Sequence, residues 1–83
     1  MIKHVIEVKK PVDAATAAQL VQSVSRFKSH ISLILNEKTA NAKSIMGIIS
    51  MELHPGMFLE ISADGEDKDE VPAALKAVIG GES

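Results

Sequence analysis

Eighty-three residues with nine Lys/Arg, eleven Asp/Glu and a net charge of −2 point to one small domain over residues 1–83. A chain of that size buries about 63% of its unfolded surface, enough for one modest core and no enzyme-sized cleft. The absence of Cys, Tyr and Trp, with only two Phe, excludes disulfides and thiolate metal ligands and leaves an aliphatic core to hold the fold.

No apolar run approaches the ~18 residues of a membrane span, so no membrane association is expected. Glu7, Lys9 and Lys10 follow a short opening that does not resemble a secretion signal. The expected compartment is the cytoplasm. Charge is uneven: residues 1–43 carry seven Lys/Arg against three Asp/Glu, and residues 44–83 two against eight. That implies a polar surface field. Without aromatic stacking residues it does not support direct nucleic-acid binding.

In chain order, residues 2–8 alternate, with Ile2, His4, Ile6 and Val8 on one face and Lys3, Val5 and Glu7 on the other, a half-buried strand. Pro11 stops it, having no amide to donate. Asp13 is then placed to cap a helix over residues 14–26. Ala14, Ala17, Val21 and Val24 recur at helical spacing, with Leu20 and Phe27 at one edge and Gln19, Gln22, Ser23 and Arg26 outward. Ile31, Leu33 and Leu35 alternate with Ser32, Ile34 and Asn36, and Asn36-Glu37-Lys38 joins this strand to a short one over Thr39–Ala42, a hairpin.

Asn41-Ala42-Lys43-Ser44 then leads into an almost wholly apolar run, Ile45 to Met51. Ser44 is placed as an N-cap, its oxygen accepting an amide that would otherwise lack a partner. Ile45, Met46, Ile48, Ile49 and Met51 are too many for one face of two turns, so part of this run is expected to stay exposed. His54-Pro55-Gly56 marks a loop. Met57, Leu59, Ile61 and Ala63 alternate with Phe58, Glu60, Ser62 and Asp64 in a fourth strand, and Gly65 opens the last turn.

Val71, Ala74, Leu75, Val78 and Ile79 form one helical stripe. A cap at Asp67 would make Pro72 the fifth helical residue, its ring striking the Lys68 carbonyl. A cap at Asp69 makes it the third, so Asp69 is expected to open the helix and Gly80-Gly81 to end it. The order is βαββαβα: an α+β open-faced β-sandwich, with a four-stranded mostly antiparallel sheet covered on one face by three helices.

Asn41-Ala42-Lys43-Ser44-Ile45-Met46-Gly47 resembles the regulatory serine segment of the HPr family, the small phosphocarriers of the bacterial sugar phosphotransferase system. Leu20-Val21-Gln22, Phe27-Lys28-Ser29 and Ile61-Ser62-Ala63-Asp64-Gly65 extend the likeness over nearly the whole chain. The resemblance implies the same open-faced fold. In that family a histidine capping the first helix carries the phosphoryl group, within a glycine–X–histidine–alanine–arginine–proline motif. Aligned without gaps through Ser44, this chain reads Pro11-Val12-Asp13-Ala14-Ala15-Thr16. Asp13 stands at the histidine position, Ala15 at the arginine, Thr16 at the proline, and only Ala14 matches.

An imidazole can take and pass on a phosphoryl group, and a neighbouring arginine steadies its oxygens. Asp13 could form an acyl phosphate, yet no acidic metal cluster or lysine nearby assists it, and a cap accounts for the residue. Alternatively its carboxylate imitates part of the phosphohistidine charge. His4 reads as a structural strand residue, His30 opens the second strand and His54 lies in an exposed loop. Their spacing fits no zinc pattern, and no cofactor or enzymatic motif is present.

Loss of the histidine with retention of the serine resembles the catabolite-repression HPr-like branch of the family. The resemblance implies Ser44 as phosphate acceptor for HPr kinase/phosphorylase. Ile45, Met46 and Ile49 would supply apolar contact, with Lys43 and Arg26 meeting charge on a partner such as a LacI-type catabolite repressor. The branch keeps the arginine and proline that this chain lacks, which bears on the repressor more than on the kinase. Two other readings stay open: a constitutive binding module on phosphotransferase-system enzymes, and a degenerate phosphocarrier. Oligomeric state is not readable from the residues.

Overall fold

The computed structural model describes residues 1–80. The elements follow the expected order: β1 (Ile2–Glu7), α1 (Ala14–Val24), β2 (His30–Leu35), β3 (Lys38–Asn41), α2 (Ile45–Ser50), β4 (Phe58–Asp64) and α3 (Val71–Ile79), with a 3₁₀ turn at Lys68–Glu70. The strands lie in the order β1-β4-β2-β3 and every pairing is antiparallel. Register sets the inner face: Ile6 pairs with Leu59, and Ile61 with Leu33, which pairs in turn with Ala40. All five are buried.

The three helices cover this face with Ala17, Leu20 and Val24 from α1, Ile48 from α2, and Val71, Leu75 and Ile79 from α3, all fully buried. Burying one such leucine or isoleucine contributes about 1.5–3 kcal/mol, so these contacts fix how the helices sit on the sheet. Leu20, expected at the edge of the α1 stripe, lies in its centre. Ala14 is exposed, and the buried stripe of α1 begins one turn later at Ala17.

Two strand-to-helix details differ from the sequence reading. His4 is exposed, although its neighbours Ile2 and Ile6 on the same face are partly and fully buried. It lies in a cleft between β1 and the end of α3, with Lys76 and Gly80, so solvent reaches the ring from that side.

The second difference is the start of the last helix. Asp69 does not cap it; it lies inside the 3₁₀ turn, and Glu70 takes the N-cap position with no side-chain hydrogen bond. Pro72 falls in the first helical turn, where its missing amide costs nothing. The preceding acid, Asp67, is engaged elsewhere: its carboxylate accepts from the Lys28 amide at 2.8 Å, the Ser29 amide at 3.0 Å and the Ser29 hydroxyl. The chain end is consistent with a stop at Gly80, whose amide donates to the Lys76 carbonyl at 2.8 Å, while Gly81 lies outside the described residues.

Candidate functional site

Ser44 has an extended backbone (φ −113°, ψ 112°), and its Oγ accepts from the Gly47 amide at 3.1 Å, so it is the N-cap of α2. Two neighbouring interactions hold the turn in front of it. The Asn41 side-chain oxygen accepts from the Lys43 amide at 2.8 Å, and the Asn41 carbonyl accepts from the Ser44 amide at 3.0 Å. The Ala42 methyl is fully buried and its amide donates to Ile31, which anchors the turn to the sheet. The hydroxyl is therefore presented from a fixed backbone, half-buried and reachable from solvent.

The apolar run divides around it. Ile48 and Met51 are buried, and Ile49 packs half-buried against the core. Met46 is 74% exposed and Ile45 40%, so these two form the outward apolar surface next to Ser44. Ile49 adds only an edge to it.

Lys43 and Arg26 converge on Phe27 at the end of α1. The Lys43 ammonium donates to the Phe27 carbonyl at 2.7 Å, and the Arg26 guanidinium lies 4.5 Å from the centre of the Phe27 ring while also donating to the Ser23 carbonyl. Arg26 thus meets the last turn of α1, whose negative end favours a cation, while Lys43 ties the α2 turn to the loop that follows α1. Lys43 is half-buried and partly committed there, and Arg26 is exposed.

At the opposite end of α1, Asp13 is its N-cap, with Oδ1 accepting from the Thr16 amide at 2.9 Å. The amide of Thr16 first, and then its hydroxyl, hold the Asp13 carboxyl below its ordinary range. Asp13 is exposed and pairs with no cation among the described residues. Its visible chemistry is that of a cap.

Sequence reasoning missed the Asp67–Ser29 latch, which ties the loop before β2 to the turn after β4 across 38 residues. Ser29 is wholly buried, and the Phe27-Lys28-Ser29 segment bearing it also supplies the carbonyl that Lys43 binds. The available signals were a serine before an apolar strand and an aspartate barred from capping by Pro72. His30, on β2, and His54, in the loop before β4, are both exposed, and no group of acidic and histidine side chains able to hold a metal occurs among the described residues.

Comparisons with known proteins cover nearly the whole chain. Residues 2–80 match the family described as the PTS HPr component phosphorylation site. The chain is 39% identical over 72 residues to the phosphocarrier protein HPr of Mycoplasma capricolum, covering 87% of this chain and 81% of that protein. It is 37% identical over 81 residues to the HPr-like protein Crh of Bacillus subtilis, covering 95% of each. The crystal structure of HPr-C-His from Thermoanaerobacter tengcongensis matches with a TM-score of 0.87 at 39% identity, over 100% of this chain and 99% of that one. The chain belongs to the HPr/Crh phosphocarrier family.

Proposed function

We propose that this chain is a non-catalytic HPr-like regulatory protein, one domain working in the cytoplasm, whose switch is a phosphate on Ser44. HPr kinase/phosphorylase adds the phosphate, and the phosphorylated surface is read by protein–protein contact in carbon catabolite regulation. The observation that carries the reading is the pairing of two caps: a solvent-reachable serine beside exposed Ile45 and Met46 on α2, and an aspartate on α1. Similarity to the HPr-like protein Crh supports it.

A phosphate on Ser44 places up to about −2 charge beside an apolar surface. A partner presenting an arginine or lysine there, a LacI-type repressor being the expected class, gains charge-assisted hydrogen bonds and apolar burial together. Without the phosphate, that cation is desolvated against Ile45 and Met46 with no counter-charge. The same charge disfavours partners that dock on the bare patch, including phosphotransferase-system enzymes.

Asp13 cannot replace a phosphohistidine in this scheme. Its Oδ1 accepts from the Thr16 amide as a helix cap, and Ala15 offers no cation to steady a transferred phosphoryl group. It keeps the helix cap and a permanent single negative charge.

The test is incubation with HPr kinase/phosphorylase and ATP, followed by peptide mass spectrometry and acid treatment. One acid-stable phosphate on Ser44, absent from Ser44→Ala, is the expected result. No incorporation, an acid-labile phosphohistidine, or a hydroxylamine-sensitive group on Asp13 would each overturn the proposal.

A further inference from the structure

The sheet has a second face that no helix covers. Because Leu33, Ala40 and Ile61 point into the core, the alternate residues of their strands point outward. Register places Val5, Glu60, Ile34 and Thr39 in one row across the four strands, with Glu7 beside Phe58 in the next. Phe58 is 64% exposed and Val5 57%, while Ile34 is half-buried yet stands outside the core cluster. Glu60 lies at the centre, half-buried, with Val5 opposite on one neighbouring strand and Ile34 opposite on the other. Phe58 lies two residues before it on the same face.

Glu60 is the only charged residue in its row, set between Val5 and Ile34 in a strand position that glutamate seldom occupies. Among the described residues no ion pair includes Glu60, and its carboxylate oxygens are not left buried without a partner. Lys3 lies diagonally across β1 and makes no ion pair with it, and Glu7, in the adjoining row, adds negative charge.

The geometry points to this open face as a docking surface for a protein segment carrying an arginine or lysine flanked by apolar side chains, the cation on Glu60 and its neighbours on Val5, Ile34 and Phe58. Charge decides the occupant. A second copy stacked face to face about a two-fold axis through this patch brings the two Glu60 carboxylates together, and an anionic lipid surface would meet Glu7 and Glu60. The surface lies across the sheet from Ser44, so its occupation leaves the α2 turn open.

The test is an amide NMR titration of the full chain with the synthetic peptide acetyl-Val-Thr-Arg-Thr-Phe-amide, whose alternate residues put Val, Arg and Phe on one face, and a twin carrying Glu in place of Arg. Saturable shifts centred on Val5, Ile34, Phe58 and Glu60 are expected with the Arg peptide, with the twin about tenfold weaker or more. Glu60→Gln should erase that preference and Glu60→Lys should reverse it, each leaving the amide spectrum away from this face unchanged. Absence of shifts at millimolar peptide, or shifts centred elsewhere, overturns the inference. So does a dependence of the Val5 and Phe58 resonances on protein concentration alone, which would assign the face to a second copy.

Discussion

Gly47→Ala tests whether the Ser44 hydroxyl is committed to the α2 cap. Gly47 supplies the amide that Ser44 Oγ accepts at 3.1 Å, and a methyl group built on it would stand 3.2 Å from that oxygen and 3.4 Å from the Ser44 and Ala40 Cβ atoms. Replacing glycine by alanine in a helix contributes up to about 1 kcal/mol. Loss of a serine N-cap costs about 1 kcal/mol. In the native background the new methyl presses Oγ away from the amide, so the two effects oppose and the net change stays within about 0.5 kcal/mol. In a Ser44→Ala background the closest contact and the cap are both gone, and Gly47→Ala should stabilise by about 0.5–1 kcal/mol. The coupling, also about 0.5–1 kcal/mol, is readable from urea midpoints of the four proteins at constant m. Equal stabilisation in both backgrounds would refute the assignment of Ser44 Oγ to the Gly47 amide.

Gly65 has φ +155°, and a methyl group there would lie 2.6 Å from the Ser29 Cα, a backbone atom that cannot swing aside. Gly65→Ala is expected to cost about 3 kcal/mol or more and to lower the melting temperature by at least about 12 °C, with a change below about 1 kcal/mol counting against the packing described. The Asp67 carboxyl is held below its ordinary value of 3.8, first by the Ser29 hydroxyl and then by the Lys28 amide. A depressed folded-state pKa contributes stability that is complete above the unfolded value and lost as pH falls through the folded one. Urea midpoints should therefore be insensitive to these two carboxyls above about pH 5 and should fall below about pH 4, less steeply in Asp67→Asn; Asp13, shifted the same way, sustains the remaining slope. An unchanged acid slope in Asp67→Asn would remove the latch from the account. Glu52, just past the C-cap of α2, has φ +54°, and Glu52→Gly should raise stability by about 1 kcal/mol, because the exposed ion pair lost with Lys38 contributes little. A lower urea midpoint would show that the side chain, not the backbone, governs that position.

Features set by near neighbours were legible from residue order. Asp13 and Ser44 were recognisable as caps because the oxygen and the amide it meets are three residues apart, and the strands because their alternation matches the pleat. The start of α3 was not legible, because neither Asp67 nor Asp69 caps it and the reason lies at a distance. Buried Ser29 and the Lys28 amide recruit Asp67, and a 3₁₀ turn then delivers the chain to Val71. His4 failed for a similar reason: alternation placed it correctly on the inner face, but only the position of α3 decides where that face runs out. The exposed division of the α2 run, Ile45 and Met46 out and Ile48 in, was foreseeable as a count but not as an assignment, since it depends on the angle at which α2 meets the sheet.

The two caps differ in what they require of the side chain. A helix N-terminus is satisfied by aspartate, asparagine, serine or threonine, and Asp13 shows that position 13 can meet the structural need of α1 without an imidazole. The phosphocarrier chemistry can thus disappear while the fold keeps its first helix. At position 44 the same latitude exists for structure: Ser44→Asn or Ser44→Asp would still offer an oxygen to the Gly47 amide. The proposed switch needs more than a cap: of these residues only serine or threonine can hold a phosphate as an acid-stable ester. Under the proposed function, structure and switch therefore impose separable demands on Ser44, with folding indifferent among the capping residues and stable modification confined to those that carry a hydroxyl.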